Sequence, residues 1–107
     1  MNKSDLISAI QIEISKFTNP EEVQEFEDCT SLVEKLHNIQ VPENISSCSE
    51  INENWSLIFA ERVHFRVKLN DNVKIRTSNK GHSWIEYENM CYDAKHINGI
   101  KKSKYNK

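Results

Sequence analysis

The sequence predicts an α+β domain: N-terminal helices packed on a four-stranded antiparallel sheet. In the first forty residues, apolar side chains recur at helical spacing and the boundaries carry capping signals. Beyond residue 62 they alternate with polar side chains between turn-rich gaps. The length of 107 residues suits one hydrophobic core, so residues 1–100 form a single domain and 101–107 a basic tail.

The first helix is expected over Ser4 to Lys16. Leu6, Ile7, Ile10 and Ile14 form its stripe, Ile12 lies off it, and Ser4 can cap it with Asp5 in the first turn. Thr18-Asn19-Pro20-Glu21-Glu22 signals another helix start, a capping residue followed by Pro and acids. Val23 and Phe26 would face the core. Asp28 or Thr30 restarts the helix, which carries Leu32, Val33, Leu36 and Ile39 and stops before Pro42. Val41 to Asn54 reads as a polar loop centred on Ser46-Ser47-Cys48-Ser49. Trp55 to Glu61 fits a short helix or an irregular strand equally well.

Val63, Phe65, Val67 and Leu69 alternate with His64, Arg66 and Lys68, which predicts a half-buried strand. A turn at Asn70-Asp71-Asn72 leads to a second strand with Val73, Ile75 and Thr77. Ser78-Asn79-Lys80-Gly81 turns into Gly81-His82-Ser83-Trp84-Ile85-Glu86-Tyr87. Glu88-Asn89 then turns the chain into Met90-Cys91-Tyr92-Asp93-Ala94. His96 to Gly99 breaks the alternation, and Lys101 to Lys107 is expected to fray.

Bulk chemistry removes several classes of function. A net charge of −2 gives no general pull toward nucleic acid or anionic membrane. No run of about 18 apolar residues exists to cross a bilayer. No basic-then-apolar leader opens the chain. Three cysteines without a close Cys-x-x-Cys pair read as reduced thiols in a cytoplasmic protein. His64, Arg66 and Lys68, with Lys74 and Arg76, would form a basic strip on the sheet's solvent face; its functional use would be an acidic or phosphate-bearing partner or, together with the lysine-rich tail, a third reading as a nucleic-acid-binding module. His82, Cys91, Asp93 and His96 match no structural zinc spacing, so neither metal nor cofactor is expected.

One constellation carries chemistry. On an antiparallel hairpin, His82 and Asp93 lie near the same end, away from the turn. A histidine held by a carboxylate is the proton-handling half of a nucleophilic triad. Cys29 stands where a helix appears to start, a position that favours the thiolate. Cys29 would attack, His82 would move the proton, and Asp93 would fix the imidazole tautomer. Trp84 shares the strand face of His82 and would wall the site. Cys91 shares the face of Asp93, lining the site or packing beneath it. Cys48 is a second thiol, without a helix start of its own.

A helix-opening cysteine, a Gly-His-x-Trp-Ile-Glu strand and a following Tyr-Asp-Ala resemble the papain-like and transglutaminase-like cysteine enzyme superfamily. The resemblance is to small phage and bacterial members, and Gly81, His82, Trp84, Ile85, Tyr87, Tyr92, Asp93, Ala94 and Gly99 carry it. Asn89 departs from the expected turn glycine and Lys95 from a common acid. The resemblance implies acyl-transfer chemistry by Cys29, His82 and Asp93 on an amide or thioester-like carbonyl of a protein or peptide, as in a peptidase, amidase, deamidase or transferase. It also implies a substrate-side oxyanion donor, for which Gln24 is the candidate. The expected function is a small cysteine hydrolase or acyltransferase without cofactor. The alternative is a non-catalytic, phage-encoded inhibitor that binds a host protein on the same scaffold.

Overall fold

The computed structural model describes residues 2–18 and 45–105. Gln24, Cys29 and the helix expected around Cys29 lie outside these residues. Among the described residues the order is α1 (Lys3–Thr18), α2 (Cys48–Asn54), α3 (Ser56–Arg66), β1 (Lys74–Thr77), β2 (Ser83–Tyr87), β3 (Met90–Asp93) and β4 (His96–Lys101), then a 3-10 turn at Lys102–Lys104. The sheet is an antiparallel meander in the order β1-β2-β3-β4. The α+β class and the four-stranded antiparallel sheet agree with the expectation.

Helix α1 begins at Lys3, and its cap is Asn2, two residues before the expected Ser4. Asn2 and Asp5 accept each other's backbone N–H groups at 3.0 Å, a reciprocal cap. Leu6, Ala9, Ile10, Glu13 and Phe17 are its buried face. Glu13 is the outlier of that face. It is fully buried and accepts from Arg62 Nε at 2.5 Å and from Arg66 Nε, both on α3. A buried carboxylate needs such partners, and here they join the two long helices. Phe17 and Phe59 meet edge-on beside this junction, with ring centroids 5.5 Å apart.

Two segments differ from the sequence reading. Residues 48–54 form a helix rather than a loop. Ser47 accepts from the Glu50 amide at 3.2 Å, and the Glu50 carboxylate accepts from the Ser46 amide. Ser47-x-x-Glu50 is a capping-box pattern, so the signal was present. Residues 63–66 are helical rather than extended. The buried residues Ser56, Phe59, Ala60 and Val63 sit at helical spacing, and Arg62 and Arg66 follow four apart on Glu13. Four alternating apolar residues had mimicked a strand. Arg66 is therefore drawn into the interior, and the basic strip of His64, Arg66 and Lys68 on a strand face does not exist. The helix ends through Lys68 and Leu69, both left-handed at φ 58° and 54°, with the Leu69 amide bonding back to the His64 carbonyl.

The fourth strand is therefore β4, at the opposite edge from the expected one. Gly99, at φ 85°, lets β4 pass over the Tyr92 ring. The β2–β3 turn is the two-residue turn expected, with Glu88 and Asn89 both at positive φ. Ser83, Ile85 and Tyr87 face the helices and are buried. Trp84 and Glu86 face the other side. The segment expected to fray folds back instead: the Lys102 amide bonds the Asn89 carbonyl, Lys102 Nζ reaches Glu86 at 3.1 Å, and Tyr105 is buried. Among the described residues no helix is long and apolar enough to cross a membrane.

Candidate active site

His82 is held just before β2. Its amide donates to Ser78 Oγ at 3.2 Å, and its carbonyl accepts from the Ser78 amide at 2.8 Å. The next residue is anchored too, since the Ser83 amide donates to Ser56 Oγ at the start of α3. Asp93 ends β3, where a register shift between Cys91 and Asp93 leaves Cys91 to Ala94 all buried. The Ala94 amide donates to Asn52 Oδ1, which ties α2 to this turn.

The Asp93 carboxylate is the hub. Its Oδ1 accepts from the backbone amides of Lys95 and His96, both at 2.8 Å, and contacts His96 Nδ1 at 2.9 Å. Its Oδ2 accepts from the Tyr105 hydroxyl at 2.6 Å. That hydroxyl oxygen lies 2.7 Å from His82 Nε2. His82 Nε2 and Asp93 Oδ2 are 4.0 Å apart, so the hydroxyl bridges the histidine and the acid. Burial works against the Asp93 charge, but the hydrogen bonds from Tyr105, His96 and the Lys95 amide prevail and lower its pKa. Burial first, and then the Asp93 carboxylate, push the Tyr105 phenol far above its ordinary range.

Aromatic rings brace the arrangement. The indole of Trp84 stacks on His82 at 5.8 Å and lies 5.1 Å from the Tyr105 ring. Trp84 thus backs the imidazole. A cavity of about 390 Å³ opens beside His82, and Trp84, expected to wall the site, does not line it. Ser49, Asn52 and Glu53 of α2 line one wall, and His82, Asp93, Lys95, His96 and Tyr105 line the rest.

The structure therefore brings His82 and Asp93 to one cavity, bridged by Tyr105 from the segment expected to fray. His96, which bonds Asp93 directly, was also missed as a site residue, although Asp-x-x-His has the spacing of a turn whose acid can reach the histidine. Nothing in a lysine-rich segment marked Tyr105. Cys29 and Gln24 lie outside the described residues. Cys48 is half-buried and opens α2, contrary to the expected loop. Cys91 is buried, and burial, then the Glu86 charge, raises its thiol pKa. Among the described residues no three His, Cys, Asp or Glu side chains are grouped to hold a metal ion.

The site can therefore hold an imidazole in one orientation, accept and return a proton, and admit a small ligand between α2 and the His82, Asp93 and His96 side chains. No protein-family model matches the chain, and no curated protein or solved structure matches it.

Proposed function

We propose that the chain is a small cysteine hydrolase or acyltransferase with a papain-like or transglutaminase-like arrangement, in which His82 and Asp93 serve a cysteine nucleophile. The observation that carries this reading is the meeting of His82, just before β2, and Asp93, at the end of β3, in the lining of an open cavity. The thiol gives its proton to His82 and attacks an amide carbonyl of a protein or peptide. The imidazolium returns that proton to the departing amine, leaving a thioester. Water or an acceptor amine then attacks the thioester and its proton passes through His82, which frees the thiol. No cofactor or metal takes part. Reduced thiols suit a cytoplasmic setting.

Cys29 is the nucleophile the sequence favours. Cys48 is its rival, because it opens the helix whose Ser49, Asn52 and Glu53 line the same cavity. Exposure to an activated ester such as p-nitrophenyl acetate, followed by peptide mass spectrometry, separates them. The reading expects one cysteine to be acylated, with the adduct lost in His82→Ala and in that cysteine's Ala variant. Acylation of neither cysteine, or equal acylation with and without His82, contradicts it.

A second reading has support from a specific contact. The Tyr105 hydroxyl fills the gap where a direct His82–Asp93 hydrogen bond would lie. A site closed in this way suits a non-catalytic protein that binds a host protein, as a phage-encoded inhibitor does. That reading expects no acyl adduct on any cysteine and a partner retained equally by wild type and His82→Ala.

A further inference from the structure

We infer that Tyr105 is a positioning residue that fixes the protonation of His82, so that Nδ1 and not Nε2 is the basic atom of the imidazole. The inference follows from counting donors along three side chains. An aspartate carboxylate has no hydrogen to give, so at the 2.6 Å contact the Tyr105 hydroxyl must donate to Asp93 Oδ2. Its only hydrogen is then used. At the 2.7 Å contact with His82 Nε2 the phenol oxygen can only accept, so Nε2 carries a hydrogen. In the neutral ring this leaves the lone pair on Nδ1.

The starting point of this order is secure. The lowered pKa of Asp93 keeps it ionised at neutral pH, and the raised pKa of Tyr105 keeps its hydroxyl protonated. Trp84 stacks on the imidazole, and Tyr105 lies near-parallel to it at 18°, which resists a ring flip. His96 reaches the other carboxylate oxygen and does not compete for Oδ2. In the usual triad the acid binds Nδ1 and the nucleophile faces Nε2. Here the polarity is reversed, and a thiol served by His82 must approach from the Nδ1 side. That catalytic meaning rests on the proposed cysteine chemistry, whereas the tautomer itself does not.

The donor order can be inverted at its source. Asp93 Oδ1 accepts from the Lys95 and His96 amides, so in Asp93→Asn the side-chain oxygen must stay there. The new NH2 then replaces Oδ2 and donates to the Tyr105 oxygen. The Tyr105 hydrogen turns to His82, and Nε2 becomes the acceptor. The test is long-range 1H–15N correlation NMR on histidine-labelled full-length protein, without substrate, at alkaline pH. His82 is assigned by its loss in His82→Gln. Wild type is expected to show Nε2–H, Asp93→Asn to switch to Nδ1–H, and Asp93→Asn with Tyr105→Phe to remain Nε2–H. A wild-type Nδ1–H tautomer, no switch in Asp93→Asn, or a switch that persists without the Tyr105 hydroxyl overturns the inference. Retained dispersion of the other resonances confirms that each variant is folded. The expected tautomers together with no ester acylation would leave the relay intact and remove the enzyme reading. Acylation with the wrong tautomer would do the reverse.

Discussion

Gly81→Ala and Gly99→Ala together separate backbone strain from steric overlap in this sheet. Both glycines are left-handed, at φ 84° and 85°. A Cβ on Gly81 meets nothing within 4 Å, whereas on Gly99 it lies 2.7 Å from Tyr92 Cε2, 2.8 Å from Cζ and 3.1 Å from Met90 Cε. Left-handed backbone costs an alanine about 1–2 kcal/mol, offset by roughly 0.4–1 kcal/mol of lost unfolded-state entropy, so Gly81→Ala should cost about 1 kcal/mol. Tyr92 is 1% exposed and cannot step aside, so Gly99→Ala adds an overpacking cost of about 1–3 kcal/mol. A domain of this length has a total stability of about 5–15 kcal/mol, so the second variant removes a large share. Urea denaturation followed by tryptophan fluorescence, at unchanged slope, measures both. Equal losses in the two variants would refute the packing of β4 on Tyr92.

Other perturbations have expected outcomes of their own. Tyr105→Phe removes a hydrogen bond to a charged group and should cost about 1.5–3 kcal/mol at neutral pH. Because the folded pKa of Asp93 is depressed, that stabilisation is complete above the unfolded carboxyl pKa of about 3.9 and is lost as pH falls through the lower folded value. Wild type and variant should therefore converge in acid, and a gap independent of pH in thermal melts would contradict the Asp93 contact. Glu13→Gln weakens the charge-assisted hydrogen bonds from Arg62 and Arg66 that join the two helices and should cost about 1.5–3 kcal/mol. A calorimetric loss under about 1 kcal/mol would mean that Glu13 does not hold the two helices together. Cys91 should react with Ellman's reagent in the folded protein far more slowly than Cys48, since it is buried with a raised pKa. Comparable rates would show that the segment over Cys91 opens freely.

The parts of the fold legible in the sequence were those with two agreeing signals. The β2–β3 hairpin had alternation and a turn, and Glu88-Asn89 took the positive φ that a two-residue turn demands even without glycine. The first helix had a stripe and a cap, although the cap lay two residues earlier, at Asn2 rather than Ser4. Val63 to Leu69 failed because a period of two over four apolar residues cannot exclude a helix; the deciding residue, Glu13, lies about fifty positions away. β4 was missed because Gly99 and Asn98 look like breakers, and the reason for the glycine is the Tyr92 ring beneath it. In the site, the meeting of His82 and Asp93 followed from hairpin geometry. Tyr105 was invisible, since its role depends on the chain folding back after β4, which no local pattern encodes.

The central claim is that His82 activates a cysteine. Its most direct test is the rate of iodoacetamide alkylation at Cys29 and at Cys48 against pH, resolved by mass spectrometry, in wild type and His82→Ala. The account predicts that one of these thiols reacts fast well below the free-thiol pKa of about 8.5 and that His82→Ala removes the excess. Ordinary thiol profiles at both positions, unchanged by His82→Ala, would contradict it.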